Sequence, residues 1–572
     1  MTSGNTQRFS FGRLILTGLA VLLALGCLYC RTLYFPSNGL TEVAEYLFII
    51  FASIAVIAFL PIINNRINLK RVLAMRGLVY LSAAVLFCLV MKYGMYQFGG
   101  YDESGIVHAA AYYDQGLRPM VDFPSALPPL FLAGIRLALI CFGMRWLSFA
   151  LFAAAFASAT LLWLYSLLRL ASFPAHWAFV LALTFEGATM FVVPIWWYNN
   201  VTSLVTVLLL LSVLACLRAP GTSASLMSMT IALAMVITAK PNAAPACLVV
   251  LVVFATRKRS HLIKAGLACC GALALAMVVC LFAQTQPSLL WAWYREAAKL
   301  RGNPFLFYPF KLMDPVKRIF ESSFALFFSL CAGDLLMRAL RQRTPSWRIN
   351  FACGVIFVSA LLLVLTNAEV EITSLVGMFA GCAVLCVGPG KIEAKRIHTR
   401  NLLVSLTVIF AVTEGLLGFT HTRIRTIGER MFYEPYSTQM IHTGFFRGLE
   451  AGPRLQRVLA QTQEALERYP SHTVFFGPRM EFEYAVFHRS VMYGMPLFWD
   501  SEGNFSPKRF PRMITDIRAQ NPDILIFLKD DYTRMGTVAD YIRSASIYER
   551  LDSFEDLTVY VKKRGNSVVA RR

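Results

Sequence analysis

Long apolar segments recur from the N-terminus to about residue 420, and nothing else constrains this chain so strongly. Apolar runs fall at about 14–30, 42–63, 77–94, 145–168, 174–195, 201–217, 225–239, 243–256, 265–284, 319–337, 349–366, 371–388 and 401–419. Segments of this kind read as membrane spans rather than as helices of a soluble core. Composition agrees, with 57% hydrophobic and 15% charged residues and a mean hydropathy of +0.56. A mostly soluble protein is excluded. The expected fold class is a polytopic α-helical membrane protein of about 13 transmembrane helices, followed by a more polar C-terminal region.

The net charge of +21 suggests nucleic acid only until the basic residues are placed. They cluster in short loops between spans, as the positive-inside rule requires, and no basic stripe marks a soluble domain. Arg66, Lys70, Arg71 and Arg76 form one cytoplasmic cluster. Span 77–94 then carries the chain to the opposite side. Residues 126–142 are apolar, but if they crossed, every later basic loop would fall on the wrong side. Their Pro128-Pro129 start and central Arg136 agree with a short helix lying at, or dipping into, the outer surface. With that parity, Arg257, Lys258, Arg259 and Lys264 are cytoplasmic. So are Arg338, Arg341, Arg343 and Arg348, and the basic run 391–400. The C-terminus is then external. The first span reads as a retained signal anchor, since no clean cleavage site follows it. Of the 13 cysteines, Cys27 and Cys30 make a CxxC spacing, but it lies inside the first apolar run and no Cys/His metal spacing is present, so they read mostly as small buried hydrophobes.

From about residue 420 the pattern changes. Helical periodicity over 453–468, 510–520 and 534–545 alternates with β-rich runs at 473–476, 524–528 and 557–561. This predicts a small α/β domain. The expected division is 1–76 for two N-terminal transmembrane helices, 77–420 for a transmembrane catalytic domain with an external loop over 95–144, and 421–572 for the external α/β domain.

Four external segments carry polar or aromatic side chains suited to chemistry. The first follows span 77–94 and opens with Asp102 and Glu103. A carboxylate shielded at a membrane surface suits a general base. An acid pair at a helix start is also favoured by the helix dipole alone. In the same loop, Arg118 suits a phosphate, or pairs with Asp114 or Asp122. His108 could ligate a metal with Asp102, but one histidine and two acids are a weak ligand set, and it reads rather as ordinary packing or a polar surface contact. The second segment, Trp196-Trp197-Tyr198-Asn199-Asn200, offers aromatics and amides to a sugar, or forms an interfacial aromatic belt. The third places Lys240 beside Pro241 and Asn242 in a turn between spans, for phosphate or sugar contact, or for snorkelling to the interface. The fourth, 285–318, holds Arg295, Lys299 and Arg301 on a surface helix and Tyr308 beyond it. Basic residues there suit an anionic ligand or anionic lipid headgroups.

The order of these motifs over roughly 77–310 resembles the GT-C class of polyprenyl-phosphate-dependent glycosyltransferases. The likeness is nearest to the protein O-mannosyltransferase and lipid A aminoarabinose transferase group. That group has an Asp-Glu pair after a span, an alanine-rich juxtamembrane helix, a Gly-x-x-Pro step and a Pro-Pro-Leu segment. Here these are Asp102-Glu103, Ala109 to Ala111, Gly116 to Pro119, and Pro128-Pro129-Leu130. The group's lysine in an external turn matches Lys240, and its later basic-aromatic loop looks like Arg301 to Tyr308. Where the group has an aspartate at the start of a later span, this chain has Asn199-Asn200. The basic residue that usually precedes Pro-Pro is replaced by Ser125-Ala126-Leu127.

The resemblance implies a bacterial inner-membrane enzyme with its active site and C-terminus in the periplasm. It would move a sugar from a polyprenyl phosphate donor to a cell-envelope glycan, lipid or protein, with inversion. Asp102, with Glu103, would be catalytic. Arg118, Asp122, Tyr198, Asn199, Asn200, Lys240, Asn242, Arg295, Arg301 and Tyr308 would bind substrate. Dependence on a divalent metal ion varies within the class and stays open, because no clear ligand set is visible. The competing expectations are a lipid-linked sugar flippase or transporter, for which Glu186 and Glu414 are the ionisable candidates within spans, and an O-antigen ligase or polymerase.

Overall fold

The computed structural model describes residues 72–96, 98–100, 102–125, 127–186 apart from 172 and 174, 195–218, 222–239, 259–300, 432, and 438–563 apart from 471–472, 498, 500–506, 530–534 and 552–553. The expected spans at 14–30, 42–63, 243–256 and beyond 300 lie outside the described residues, as do Lys240, Asn242, Arg301, Tyr308 and Glu414.

Among the described residues, helices α1 (Val72–Gly94), α4 (Trp146–Leu170) and α8 (Arg259–Phe282) contain stretches long and apolar enough to cross a membrane, at Gly77–Gly94, Trp146–Leu170 and Ile263–Phe282. The sequence places spans at all three. Helices α3 (Pro129–Phe142) and α7 (Ser223–Thr238) are apolar but shorter. Helix α5 runs Ala175–Glu186 and α6 runs Tyr198–Arg218. Helix α6 lies at the centre of the bundle, where Leu204, Val207, Leu208, Leu211 and Leu214 are wholly buried. Outward-facing apolar side chains sit on α1 and α8 instead, among them Leu81, Val85, Leu267, Leu273 and Leu281. An apolar surface of that kind is stable against lipid and costly against water.

The 126–142 segment forms the short helix α3. Pro128 occupies its N-cap and Pro129 its first turn, where a missing N–H costs nothing. It ends after 14 residues at Gly143, whose φ of 80° suits glycine. Arg136 has a structural partner here. It donates to the Phe282 carbonyl at 2.5 Å, and Tyr113 Oη donates to the Ala283 carbonyl at 2.7 Å. Both acceptors lie at the C-terminus of α8, where carbonyls lack intrahelical partners and a cation is favoured.

The C-terminal residues form a four-stranded sheet in the order β3 (Val474–Phe476), β4 (Ile524–Leu528), β6 (Leu557–Lys562), β5 (Tyr548–Leu551). β3 and β4 are parallel and the other pairs antiparallel. A two-stranded ribbon, β1 (Gln439–Met440) with β2 (Glu450–Ala451), precedes it. Helices α10 (Pro453–Arg468), α12 (Phe510–Gln520) and α13 (Thr537–Ser544) lie close to their expected positions, whereas the single turn α11 (Glu483–Val486), β5 and the ribbon carry no legible pattern.

Every residue of β4 is buried, so both sheet faces are covered. Phe475, Leu525, Phe527 and Tyr560 face a core shared with Met513, Ile517, Val538 and Ile542 from α12 and α13. The alternate residues Val474, Phe476, Ile524, Ile526 and Val559 belong to a second core that also holds Leu455 and Val458 of α10 and runs on into the helical bundle.

Candidate active site

The acid pair opens helix α2 (Asp102–Asp114), with Asp102 and Glu103 in its first turn. The dipole at that end favours carboxylates. Helix α2 is alanine-rich because it has neighbours all round: every residue from Glu103 to Tyr113 is buried, and Asp102 is half-buried. It ends in a Schellman turn. Gly116 (φ 74°) bonds to the Tyr113 carbonyl at 3.0 Å and Leu117 to the Tyr112 carbonyl at 2.9 Å. The Gly-x-x-Pro step is therefore the helix stop.

The next loop is closed by Arg118 and Asp122. The Arg118 backbone N–H donates to Asp122 Oδ2 at 2.8 Å, and its Nε lies 3.5 Å from the same oxygen. Of the two roles open to Arg118, the ion pair is the one seen, at an exposed position where such a pair contributes little.

Three side chains on one face of α2, spaced by four residues, meet the segment that follows β3. Ser104 Oγ donates to Glu481 Oε2 at 3.0 Å and accepts from the Phe482 N–H at 3.2 Å. His108 lies between the rings of Tyr112, 4.4 Å away, and Tyr484, 5.6 Å away. Tyr112 Oη reaches the carbonyls of Met492 and Met495, each at 3.0 Å. Burial lowers the His108 pKa to about 3 against a small upward pull from the Leu497 backbone, so the ring is neutral. Burial raises the Tyr112 hydroxyl well above its ordinary value, helped by the nearby Tyr484 and Glu481. Burial also raises Glu483, against the lowering effect of its hydrogen bond from Thr462.

No family model and no curated protein matches this chain. Two solved structures are similar to it along most of their length. One is ArnT from Cupriavidus metallidurans bound to undecaprenyl phosphate, at 13% identity over 86% of this chain and 99% of that one, with a TM-score of 0.46. The other is the same protein in the apo state, at 14% identity over 85% and 98%, with a TM-score of 0.47. At this identity and superposition the likeness assigns this chain neither substrate nor residue roles.

The second expected segment packs against α3. Trp196 stacks parallel to Phe131 and donates from Nε1 to its carbonyl at 2.9 Å. Trp197 and Tyr198 meet the same Phe131 ring edge-on. Trp196 and Trp197 are both buried, and Tyr198 is half-buried. Asn199 lies in the first turn of α6. Asn200 is fully buried, with Nδ2 3.4 Å from the Ile195 carbonyl. Arg295 is exposed on helix α9 (Pro287–Leu300), which also exposes Trp291.

Contacts link α2, α3, the α8–α9 junction and the 195–200 segment: Tyr113 to Ala283, Arg136 to Phe282, and Phe131 to Trp197 and Tyr198. Two of the four expected external segments are therefore in contact, and the first also meets the residues just before the fourth. Among the described residues, no group of His, Cys, Asp and Glu is arranged to hold a metal ion. The sequence reading missed Ser104, Tyr112 and Glu481. The i, i+4, i+8 spacing of Ser104, His108 and Tyr112 was the available signal.

Proposed function

We propose that this chain is an integral-membrane glycosyltransferase that moves a sugar from a polyprenyl phosphate donor to a cell-envelope acceptor on the periplasmic face. The observation that carries this reading is the placement of Asp102 and Glu103. They head a buried helix directly after a helix long enough to cross the membrane. The ordered resemblance to the GT-C class supports it.

Asp102 is the base. It takes the proton from the acceptor hydroxyl or amine as that atom bonds to the anomeric carbon. The bond from that carbon to the phosphate oxygen breaks in the same step, and the polyprenyl phosphate leaves with the electron pair. A single displacement inverts the anomeric centre. Arg295, Lys240 and Arg301 stabilise the departing phosphate, while Tyr198, Asn199, Asn242 and Tyr308 line the sugar; Asn200, wholly buried, supports the start of α6 instead of touching the sugar. Arg118 and Asp122 shape the loop beyond α2.

The test compares wild type with Asp102→Asn in membranes, using a panel of radiolabelled polyprenyl phosphate sugars and reading label on the acceptor. Transfer should fall by about 10²- to 10⁴-fold at equal expression. Undiminished transfer removes Asp102 from the mechanism. A second reading, a lipid-linked sugar flippase, is favoured by Glu186. Its carboxylate is wholly buried and accepts from Thr160 in the middle of α4. Leaflet-to-leaflet movement of labelled lipid, with no transfer from any donor, would select it.

A further inference from the structure

We propose that Ser104, Glu481 and Tyr112 are positioning residues, and that the segment 479–497 holds the acidic head of α2 in its working place. The effect on transfer rests on the function proposed above. The geometry stands independently of it.

Ser104 lies two residues after Asp102 and one after Glu103. Its hydroxyl uses both capacities on partners more than 370 residues away in sequence, donating to the Glu481 carboxylate and accepting from the Phe482 N–H. Ser104 is 1% exposed and Glu481 4%. A hydroxyl and a carboxylate buried this deeply are costly unless satisfied, so the link is strongly directional. Eight residues on, about 12 Å along the axis, the Tyr112 hydroxyl is held by two carbonyls of the same segment. Two anchors on one face of a helix prevent it from sliding or turning. A third contact closes the loop beyond, where the Gly494 N–H donates to the Asp122 carbonyl at 2.8 Å. A helix carrying a general base needs this fixing, because a small displacement of a reacting group lowers rate without weakening binding.

The experiment uses the full chain in detergent or nanodiscs with Ser104→Ala, Glu481→Ala and, as the conservative rescue, Ser104→Thr. Two readouts are taken: hydrogen exchange of the 102–114 peptide, and kcat and KM for the donor. Ser104→Ala and Glu481→Ala should each speed exchange in the first turn of α2. Each should lower kcat about ten- to a hundred-fold with KM within about two-fold, and Ser104→Thr should restore both. Unchanged exchange in both alanine variants overturns the proposal, and so does faster exchange with unchanged kcat. A loss of active protein with normal kcat per folded molecule reduces the contact to a merely structural one and also overturns it. If wild type transfers from no donor, the transferase reading fails, and the exchange measurement alone decides whether the clamp exists.

Discussion

Asp102 and His108 share a helix, yet their surroundings differ. Asp102 is half-buried at the head of the helix. His108 is 1% exposed between two tyrosine rings. Its folded-state pKa of about 3 lies below the ordinary 6.5. Between those values the unfolded chain holds a proton that the folded chain does not. Stability therefore rises with pH across this window and is lost as pH falls, by about 1.4 kcal/mol per pH unit. His108→Phe should flatten the acid limb of thermal stability between pH 6.5 and pH 3, and equal limbs in the two proteins would place the acid sensitivity elsewhere. At the same scale the sequence reading was partial. It placed the acid pair at a helix start and offered the Arg118–Asp122 pair as one alternative. It could not foresee that Asn200 is wholly buried, because burial is set by tertiary packing, or that Arg136 serves the end of α8, because Phe282 is far away in sequence.

Elements meet here through small residues whose neighbours are large. A Cβ added at Gly134 of α3 would lie 2.3 Å from the Trp196 ring, and that ring is itself buried and hydrogen-bonded to Phe131. Gly134→Ala should therefore cost about 1–3 kcal/mol, read as a lower melting temperature and a shift in tryptophan fluorescence. An unchanged melting temperature would show that α3 and Trp196 do not approach so closely. Gly100 stands two residues before α2 with φ 86°, and a Cβ there would lie 2.3 Å from Phe432. Gly100→Ala combines backbone strain with a clash. It should lower both stability and transfer, since the displaced chain leads directly into Asp102. Full transfer in a folded Gly100→Ala protein would argue that the entry to α2 tolerates movement.

At the scale of the whole molecule, the C-terminal sheet and the helical bundle share a core. Phe98, in the link between α1 and α2, lies 5.0 Å from both Phe446 and Phe482 and 5.1 Å from Trp146 at the head of α4. Backbone bonds reinforce the junction, from the Trp146 N–H to the Phe445 carbonyl at 3.1 Å and from the Glu450 N–H to the Met95 carbonyl at 3.0 Å. Phe98→Ala should cost about 3–5 kcal/mol. It should make the chain sensitive to protease between the bundle and the sheet, and wild-type resistance in the variant would count against a shared core. Removing the residues after 437 should abolish transfer, because α2 would lose the partners of Ser104, His108 and Tyr112. A transporter built on the helices alone would survive that deletion.

The sequence by itself determined the membrane-protein class, the three long spans, the short proline-started helix α3 and the principal helices of the C-terminal region. Each of these depends on local hydrophobicity, periodicity or a terminating residue, and such signals are written within a few turns of chain. Only the tertiary structure decided that α2 is buried on every side and that its polar stripe meets residues 479–497. It also decided that one face of the C-terminal sheet continues the core of the bundle. Those facts depend on pairs hundreds of residues apart, as between Ser104 and Glu481. No local pattern records such a pair, because each partner alone reads as an ordinary polar residue, and only burial makes its satisfaction necessary.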